Sequence, residues 1–308
     1  MADTGTWRPT AADPLLILAM DHRESLGKKV FGVVDDAPTP EQTRAIETAK
    51  QLTYAGLAAV RDQLPAGRAG VLVDERYGAD VITSANHDGV VLAVPVEKSG
   101  REWFTLEYGA DWAAHVRDAD PAYVKVLVRD NPDFDDTHRK TQFADLAELS
   151  ASLTSMGVPL LYELLVPGTD DQKASVGGDA DAYDRDIRPE LVIRVIADNQ
   201  QAGIEPTIWK IEGLETTDAA HAIVGQIRSG GRDDIDAVVL GRDAPFERLD
   251  HWLSVAAGVD GFVGFAIGRS IWQDAVAANF RGEIDEAAAI GQISANYLHF
   301  ATQYTAAR

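Results

Sequence analysis

Eight short apolar, β-branched runs recur along the chain, each separated from the next by a polar stretch long enough to hold a helix. They cover 15–22 (LLILAMDH), 69–75 (AGVLVDE), 90–97 (VVLAVPVE), 123–130 (YVKVLVRD), 158–166 (VPLLYELLV), 207–212 (TIWKIE), 236–241 (DAVVLG) and 261–268 (GFVGFAIG). Spacing of this kind suits parallel strands, which need a crossover connection where antiparallel strands need only a tight turn. Eight β/α alternations in about 250 residues predict an α/β fold of one kind, a single (β/α)8 TIM barrel.

The intervening segments agree. Residues 39–64 open on Thr-Pro-Glu, a capping residue followed by proline at the first helical position. Residues 139–155 carry Phe143, Leu146, Leu149 and Leu153 at helical spacing. Further helices are predicted over 188–202, 219–230, 246–258, 271–280 and 283–305. A doubly wound sheet would usually place a Gly-x-Gly-x-x-Gly turn after the first strand, where this chain has Asp21-His22-Arg23-Glu24-Ser25. With no internal repeat and no low-complexity linker, the barrel is expected over 14–308, behind a flexible N-terminal tail over 1–13. Residues 31–40 and 167–184 read as long loops, which in a compact barrel are either active-site lids or solvated insertions.

Composition narrows the chemistry. The 308 residues hold 28 Lys+Arg against 49 Asp+Glu, a formal charge of −21, which argues against a reader of nucleic-acid phosphates. Any anionic ligand must find a local positive site. The absence of Cys removes disulfides, thiolate zinc sites and a cysteine nucleophile. The apolar runs are too short for a membrane span, and the opening lacks a secretory pattern, so a soluble, cytoplasmic protein is expected.

In such barrels the active site lies at the C-terminal ends of the strands. Here those ends are unusually polar: Asp21-His22-Arg23, Asp74-Glu75-Arg76, Glu97-Lys98, Lys125 with Arg129, Glu163, Lys210 with Glu212, Gly241-Arg242 and Gly268-Arg269. Lys125 and Lys210 lie inside their apolar runs, at VKVL and WKIE. Such a lysine is either half of an internal ion pair or a nucleophile. Burial and a neighbouring cation both depress a lysine pKa, giving a neutral amine able to attack a carbonyl. Strand alternation puts Lys210 and Glu212 on one face, and Lys125, Leu127 and Arg129 on one face. The two Gly-Arg pairs suit a phosphate, with glycine admitting the backbone amides and arginine supplying a charged fork. Of seven His only His22 stands at a strand end, so no metal or other cofactor is expected. An oxygen-bound Mg2+ at Asp21, Asp74 or Glu75 is the remaining variant.

Several segments together resemble a known family: LLILAMDHRESL, GVLVDERYGADV, VPVEKSG, YVKVLVRDNP, YELLVP, RPELVIRVIADNQQAGIEPTIWKIEGLE, VVLGRDA and GFVGFAIGRSIW. They are similar to the aldolase domain of inositol catabolism, the 5-dehydro-2-deoxyphosphogluconate aldolase type, over residues 15–304. More distantly the chain resembles class I tagatose-bisphosphate and sulfofructose-phosphate aldolases. The resemblance implies a metal-free Schiff-base mechanism. It makes Lys210 the imine-forming residue, Lys125 its neighbour, Glu163 the acid, and Asp21 and Arg23 the strand-one motif. That motif reads Asp-His-Arg-Glu where the tagatose-type enzymes have Asp-Gln-Arg-Gly, which implies different contacts to substrate hydroxyls.

The expectation is a class I aldolase that cleaves a phosphorylated ketose or keto-sugar acid. An example is 5-dehydro-2-deoxygluconate 6-phosphate, cleaved to dihydroxyacetone phosphate and malonate semialdehyde. Lys210, Lys125, Glu163 and Asp21 would be catalytic. Arg23, Lys98, Arg129, Glu212, Gly241, Arg242, Gly268 and Arg269 would bind the substrate. The expected partner is a phosphorylated sugar, with neither nucleic acid nor membrane, and a homo-oligomer is compatible with the sequence. The rivals are a sugar-phosphate-binding barrel with a sensor or scaffold role, and a metal-dependent lyase.

Overall fold

In the computed structural model, which describes residues 7–34 and 37–308, eight parallel strands close into a barrel in chain order. Among the described residues these are β1 (Leu15–Ala19), β2 (Arg68–Leu72), β3 (Val91–Pro95), β4 (Tyr123–Arg129), β5 (Leu160–Leu165), β6 (Ile208–Glu212), β7 (Asp236–Leu240) and β8 (Phe262–Ile267). Helices α1 (Glu24–Phe31) and α2 (Pro40–Ala58) follow β1, α3 (Glu75–Asp88) follows β2, α4 (Trp112–Ala119) follows β3, and α5 (Asp136–Met156) follows β4. After β5 come α6 (Asp170–Ser175), α7 (Ala180–Ala182) and α8 (Arg188–Gln201). Then α9 (Thr217–Ile227) follows β6, α10 (Phe246–Ala257) follows β7, and α11 (Arg269–Phe280) and α12 (Glu286–Ala306) follow β8. The (β/α)8 barrel expected from the eight runs is the observed fold.

Strand alternation divides the core in two. Leu15, Ile17, Leu72, Ala93, Tyr123, Leu161, Ile208 and Val238 pack on one another inside the barrel. Their neighbours, such as Leu16, Val71, Val124, Tyr162 and Trp209, join the larger layer against the helices. The Thr-Pro-Glu start is a capping box: the Thr39 hydroxyl accepts from Gln42 N while the Gln42 side chain takes the Thr39 N–H. The helix ends at Ala58, and a separate turn over Arg61–Gln63 fills the rest of the predicted 39–64 span. In α5 the leucines at 146, 149 and 153 are buried, as their spacing requires.

Closure of the ring depends on Gly264. It pairs with Leu15 at the β1–β8 seam with φ +146°, and a Cβ there would fall on the Leu15 carbonyl oxygen. Across the seam, α12 fastens both strands: Tyr297 Oη donates to Leu16 O at 2.7 Å and Tyr304 Oη donates to Phe262 O at 2.8 Å.

Of the expected tail, residues 1–6 lie outside the described residues. From Trp7 on, the chain covers the N-terminal end of the barrel. Trp7 packs against the inner core, its indole N–H donates to Asp13, and the Arg68 guanidinium sits 4.5 Å over its ring. Of the segment 31–40, residues 35–36 lie outside the described residues, and Phe31 belongs to α1. The segment 167–184 contains α6 and α7 and is fastened to the barrel by Tyr183, whose hydroxyl donates to Val166 O at 3.0 Å. No helix among the described residues is long and apolar enough to cross a membrane.

Candidate active site

A cavity of about 480 Å3 opens at the C-terminal end of the strands. Asp21, Glu97, Lys125, Glu163 and Lys210 line it, surrounded by Arg23, Lys98, Arg101, Trp103, Arg129, Gly241, Arg242, Gly268 and Arg269. Lys125, Glu163 and Lys210 leave β4, β5 and β6 on the inner face, one layer above the apolar barrel core, and Asp21 and Glu97 stand just past the ends of β1 and β3. Lys125 stands two residues beyond Tyr123 and Lys210 two beyond Ile208, so the same alternation that buries those residues carries both lysines inward.

Lys125 is 1% exposed and meets three carboxylates. Its Nζ donates to Asp21 Oδ2 and to Glu97 Oε1, both at 2.8 Å, and lies 3.0 Å from Glu163 Oε2. Burial opposes its charge, but Asp21, Glu163 and Glu97 outweigh burial and raise its pKa, so Lys125 is an ammonium. Lys210 Nζ donates to the same Glu163 Oε2 at 3.0 Å. Burial would raise the Asp21 and Glu163 carboxyls, yet the two lysines hold both below the usual carboxylate range. Glu97 differs. Burial dominates there and pushes its carboxyl up despite Lys125 and Arg23, and its Oε2 is buried without a hydrogen-bond partner.

Arg23 connects this cluster to the loop after β3. Its Nη2 donates to Glu97 O at 2.8 Å and its Nη1 to Glu107 Oε2 at 3.0 Å. His22, at the end of β1, packs edge-on to Trp272. Burial first, then the Arg269 and Lys210 charges, depress its pKa to about 3 against the pull of Asp21, so the ring is neutral. Asp74 is committed elsewhere: it caps α3 through Tyr77 N and pairs with the buried Lys50. Among the described residues no group of three or more His, Asp or Glu side chains is arranged to hold a metal ion.

At β7 and β8 the two Gly-Arg pairs part company. Arg269 opens α11 beside Gly268 and pairs with Asp243 at 3.0 Å, at the cavity. Arg242, although it lines the cavity, is tied to Asp184 and to Glu212 Oε1 at 2.9 Å. Asp184 also receives Arg188 Nε at 3.1 Å, and burial of its carboxyl is outweighed by Arg242 and Arg188, which lower its pKa. Glu212, expected as a substrate ligand, does not line the cavity. Its carboxylate accepts from Val166 N at 3.0 Å and from Arg242, which joins the β5 loop to β6 and β7.

Of the other expected site residues, Asp21, Arg23, Lys98, Lys125, Arg129, Glu163, Lys210, Gly241, Gly268 and Arg269 all line the cavity. Arg129 reaches out to the Arg101 carbonyl at 3.3 Å. Lys98 is exposed, and its neighbour Glu97 is the buried partner of Lys125. Glu97 was missing from the expected set, although alternation points to it. Ala93 faces the barrel interior, and counting by twos from it reaches Glu97 and passes over Lys98.

A family model described as "Uncharacterized protein conserved in bacteria (DUF2090)" matches residues 3–308. The chain belongs to the DUF2090 family. No curated protein matches this member of the family. Among solved structures it is similar in fold to Cgl0159 from Corynebacterium glutamicum, with 17% identity and a TM-score of 0.54 over 92% of this chain and 85% of that one. It is also similar to a fructose-bisphosphate aldolase from Slackia heliotrinireducens DSM 20476, with 14% identity and a TM-score of 0.53 over 93% and 86% of the two chains. At these identities the likeness is one of fold, a TIM barrel.

Proposed function

We propose that this DUF2090 protein is a class I aldolase acting on a phosphorylated ketose or keto-sugar acid. The observation that carries the reading is one shared oxygen: Glu163 Oε2 lies 3.0 Å from the amines of both Lys210 and Lys125 inside the strand-end cavity. A buried amine beside a carboxylate is what imine formation with a ketone requires, since the amine attacks and the acid protonates the departing oxygen.

In this reading Lys210 releases its ammonium proton to the Glu163 carboxylate and adds to the substrate ketone, and that proton returns through Glu163 as the carbinolamine oxygen leaves as water. The resulting iminium draws the electrons of the adjacent C–C bond, and the hydroxyl proton on the departing aldehyde fragment passes to Asp21 or Glu163. Lys125 stays charged and holds the three carboxylates in place. The phosphate would lie against Arg269 and the Gly241 and Gly268 backbone at the start of α11, where a helix N-terminus favours an anion. Lys98, Arg101 and Arg129 on the β3–β4 side offer charge to a second anionic group, which suits a keto-sugar acid such as 5-dehydro-2-deoxygluconate 6-phosphate. Its products would be dihydroxyacetone phosphate and malonate semialdehyde.

The test is borohydride reduction in the presence of dihydroxyacetone phosphate, followed by peptide mapping. A mass adduct on the peptide containing Lys210, lost in Lys210→Ala, is expected. An adduct on Lys125 instead, or none with a substrate that turns over, would overturn the mechanism.

A further inference from the structure

Glu97 is held in place from two directions. Its backbone pairs with Leu106 in an antiparallel bridge, and Arg23 Nη2 donates to its carbonyl at 2.8 Å. Its Oε1 accepts from Lys125 at 2.8 Å, while Oε2 is buried and has no partner. From there an unbroken series of contacts leads to the nucleophile: Glu97 Oε1 to Lys125 Nζ at 2.8 Å, Lys125 Nζ to Glu163 Oε2 at 3.0 Å, and Glu163 Oε2 to Lys210 Nζ at 3.0 Å.

We propose that Glu97 is the proton acceptor that frees the Lys210 amine, reached through Glu163 and Lys125. The transfer balances within the cluster. The Lys125 ammonium gives a proton to the Glu97 carboxylate, Glu163 passes one to Lys125, and Lys210 gives one to Glu163. Lys125 and Glu163 end as they began. Lys210 has lost one proton and one positive charge, and Glu97 has gained the proton and lost its negative charge. Two buried charges are thereby removed together, which is favourable in a medium that solvates ions poorly.

Of the three carboxylates on Lys125, Glu97 is the one suited to hold that proton. Asp21 and Glu163 are held ionised by the lysine charges, whereas burial raises Glu97. The charged groups facing Glu97 are Lys125 from β4, and Arg23 and Asp21 from the end of β1. The Lys125 ammonium is itself offset by the three carboxylates around it. Glu97 acts through Lys125 and Glu163, so it is a positioning and proton-holding residue of the proposed site.

The inference rests on the Schiff-base reading for its purpose, but the proton path can be tested without a sugar. Pyridoxal 5′-phosphate is an aldehyde that forms an imine with an unprotonated amine, and borohydride fixes it for mapping at Lys210. Labelling rates would be followed against pH for the wild type, Glu97→Gln and Glu97→Asp. Gln keeps the contact to Lys125 but accepts no proton, so half-maximal labelling should move up by about one pH unit or more. Asp keeps an acid and should restore a near-wild-type profile. Identical profiles for wild type and Glu97→Gln, or no labelling of Lys210 in the wild type, would overturn the proposal.

If Glu97→Gln does not fold, the wild type decides. In the relay the freed Lys210 amine coexists with a protonated Glu97, so a protonated-carboxyl band should persist in the infrared spectrum of the unliganded wild type at the pH of half-maximal labelling, and no such band there refutes the role. Shifted labelling without cleavage of any ketose phosphate would leave the proton path standing and remove the aldolase reading. Cleavage with unshifted labelling would do the reverse.

Discussion

Lys125 and Lys210 share a single oxygen, Glu163 Oε2, at 3.0 Å each. Two lysines on strands β4 and β6 are thus joined by the one carboxylate that the intervening strand provides, and the register of the barrel sets that arrangement. Leu127 on β4 pairs with Glu163 on β5, and Glu163 pairs with Lys210 on β6, so the groups rise to neighbouring heights in the cavity.

Removing the Lys125 charge should show what it holds. Lys125→Met leaves Asp21, Glu97 and Glu163 facing one another without their shared cation, and breaking a buried pair costs about 3–5 kcal/mol. In the variant these carboxyls are pushed above their unfolded values. The folded state then binds more protons than the unfolded state, and stability falls as pH rises. Denaturant unfolding at pH 5 and pH 8 should show a deficit that is larger at pH 8. Wild-type stability at pH 8 would contradict the charge arrangement.

The two strand-end arginines should behave differently. Arg269→Ala is expected to weaken a phosphorylated substrate by roughly 10- to 100-fold, the loss of a charge-assisted fork, and to leave its dephosphorylated analogue almost unaffected. Arg242→Ala should instead lower stability by about 1–3 kcal/mol, because Asp184 and Glu212 lose a partner in a buried network. Paired binding and unfolding measurements separate the two. Equal binding losses for both ligands in Arg269→Ala would make that arginine structural.

His22 should give the protein an acid sensitivity. Its pKa is depressed to about 3, below the ordinary 6.5, so between these values the unfolded chain binds a proton that the folded chain refuses. Stability therefore rises with pH across that window, by roughly 1.4 kcal/mol per unit at most. His22→Gln removes this dependence, and unfolding free energies measured from pH 4 to 7 should show a shallower slope than in the wild type. Parallel slopes would mean that the ring is not held neutral.

If Lys210 supplies the electron sink, chelation should leave aldolase turnover unchanged. Prolonged dialysis against EDTA, with cleavage of a keto-sugar phosphate measured before and after, checks this. Activity lost to EDTA and regained with a divalent ion would favour a metal-dependent lyase.

Periodicity carried most of the architecture. Each of the eight apolar runs contains or overlaps one of the observed strands, because inward and outward residues of a barrel strand are both buried and leave a continuous apolar signature. The interior lysines were legible for the same reason, since a charge inside such a run has nowhere to go but the cavity. The fate of Arg242 was not legible. Its partner Asp184 lies 58 residues earlier, and only the folded β5 loop brings them together. Lys98 does line the cavity, and Glu97 was missed beside it because the facing of residues just past a strand end is ambiguous, which counting by twos from Ala93 resolves.

The seam between β1 and β8 bears on how the chain reaches this state. Leu15 and Gly264 are separated by about 250 residues, so their pairing is the most non-local contact of the sheet and the slowest to find. Until the last strand arrives, the first exposes an open edge to any other chain with strands to offer. A methyl group at 264 would obstruct that final step at the Leu15 carbonyl. Gly264→Ala should therefore appear first as concentration-dependent aggregation on refolding, at a stage when most of the barrel has already assembled.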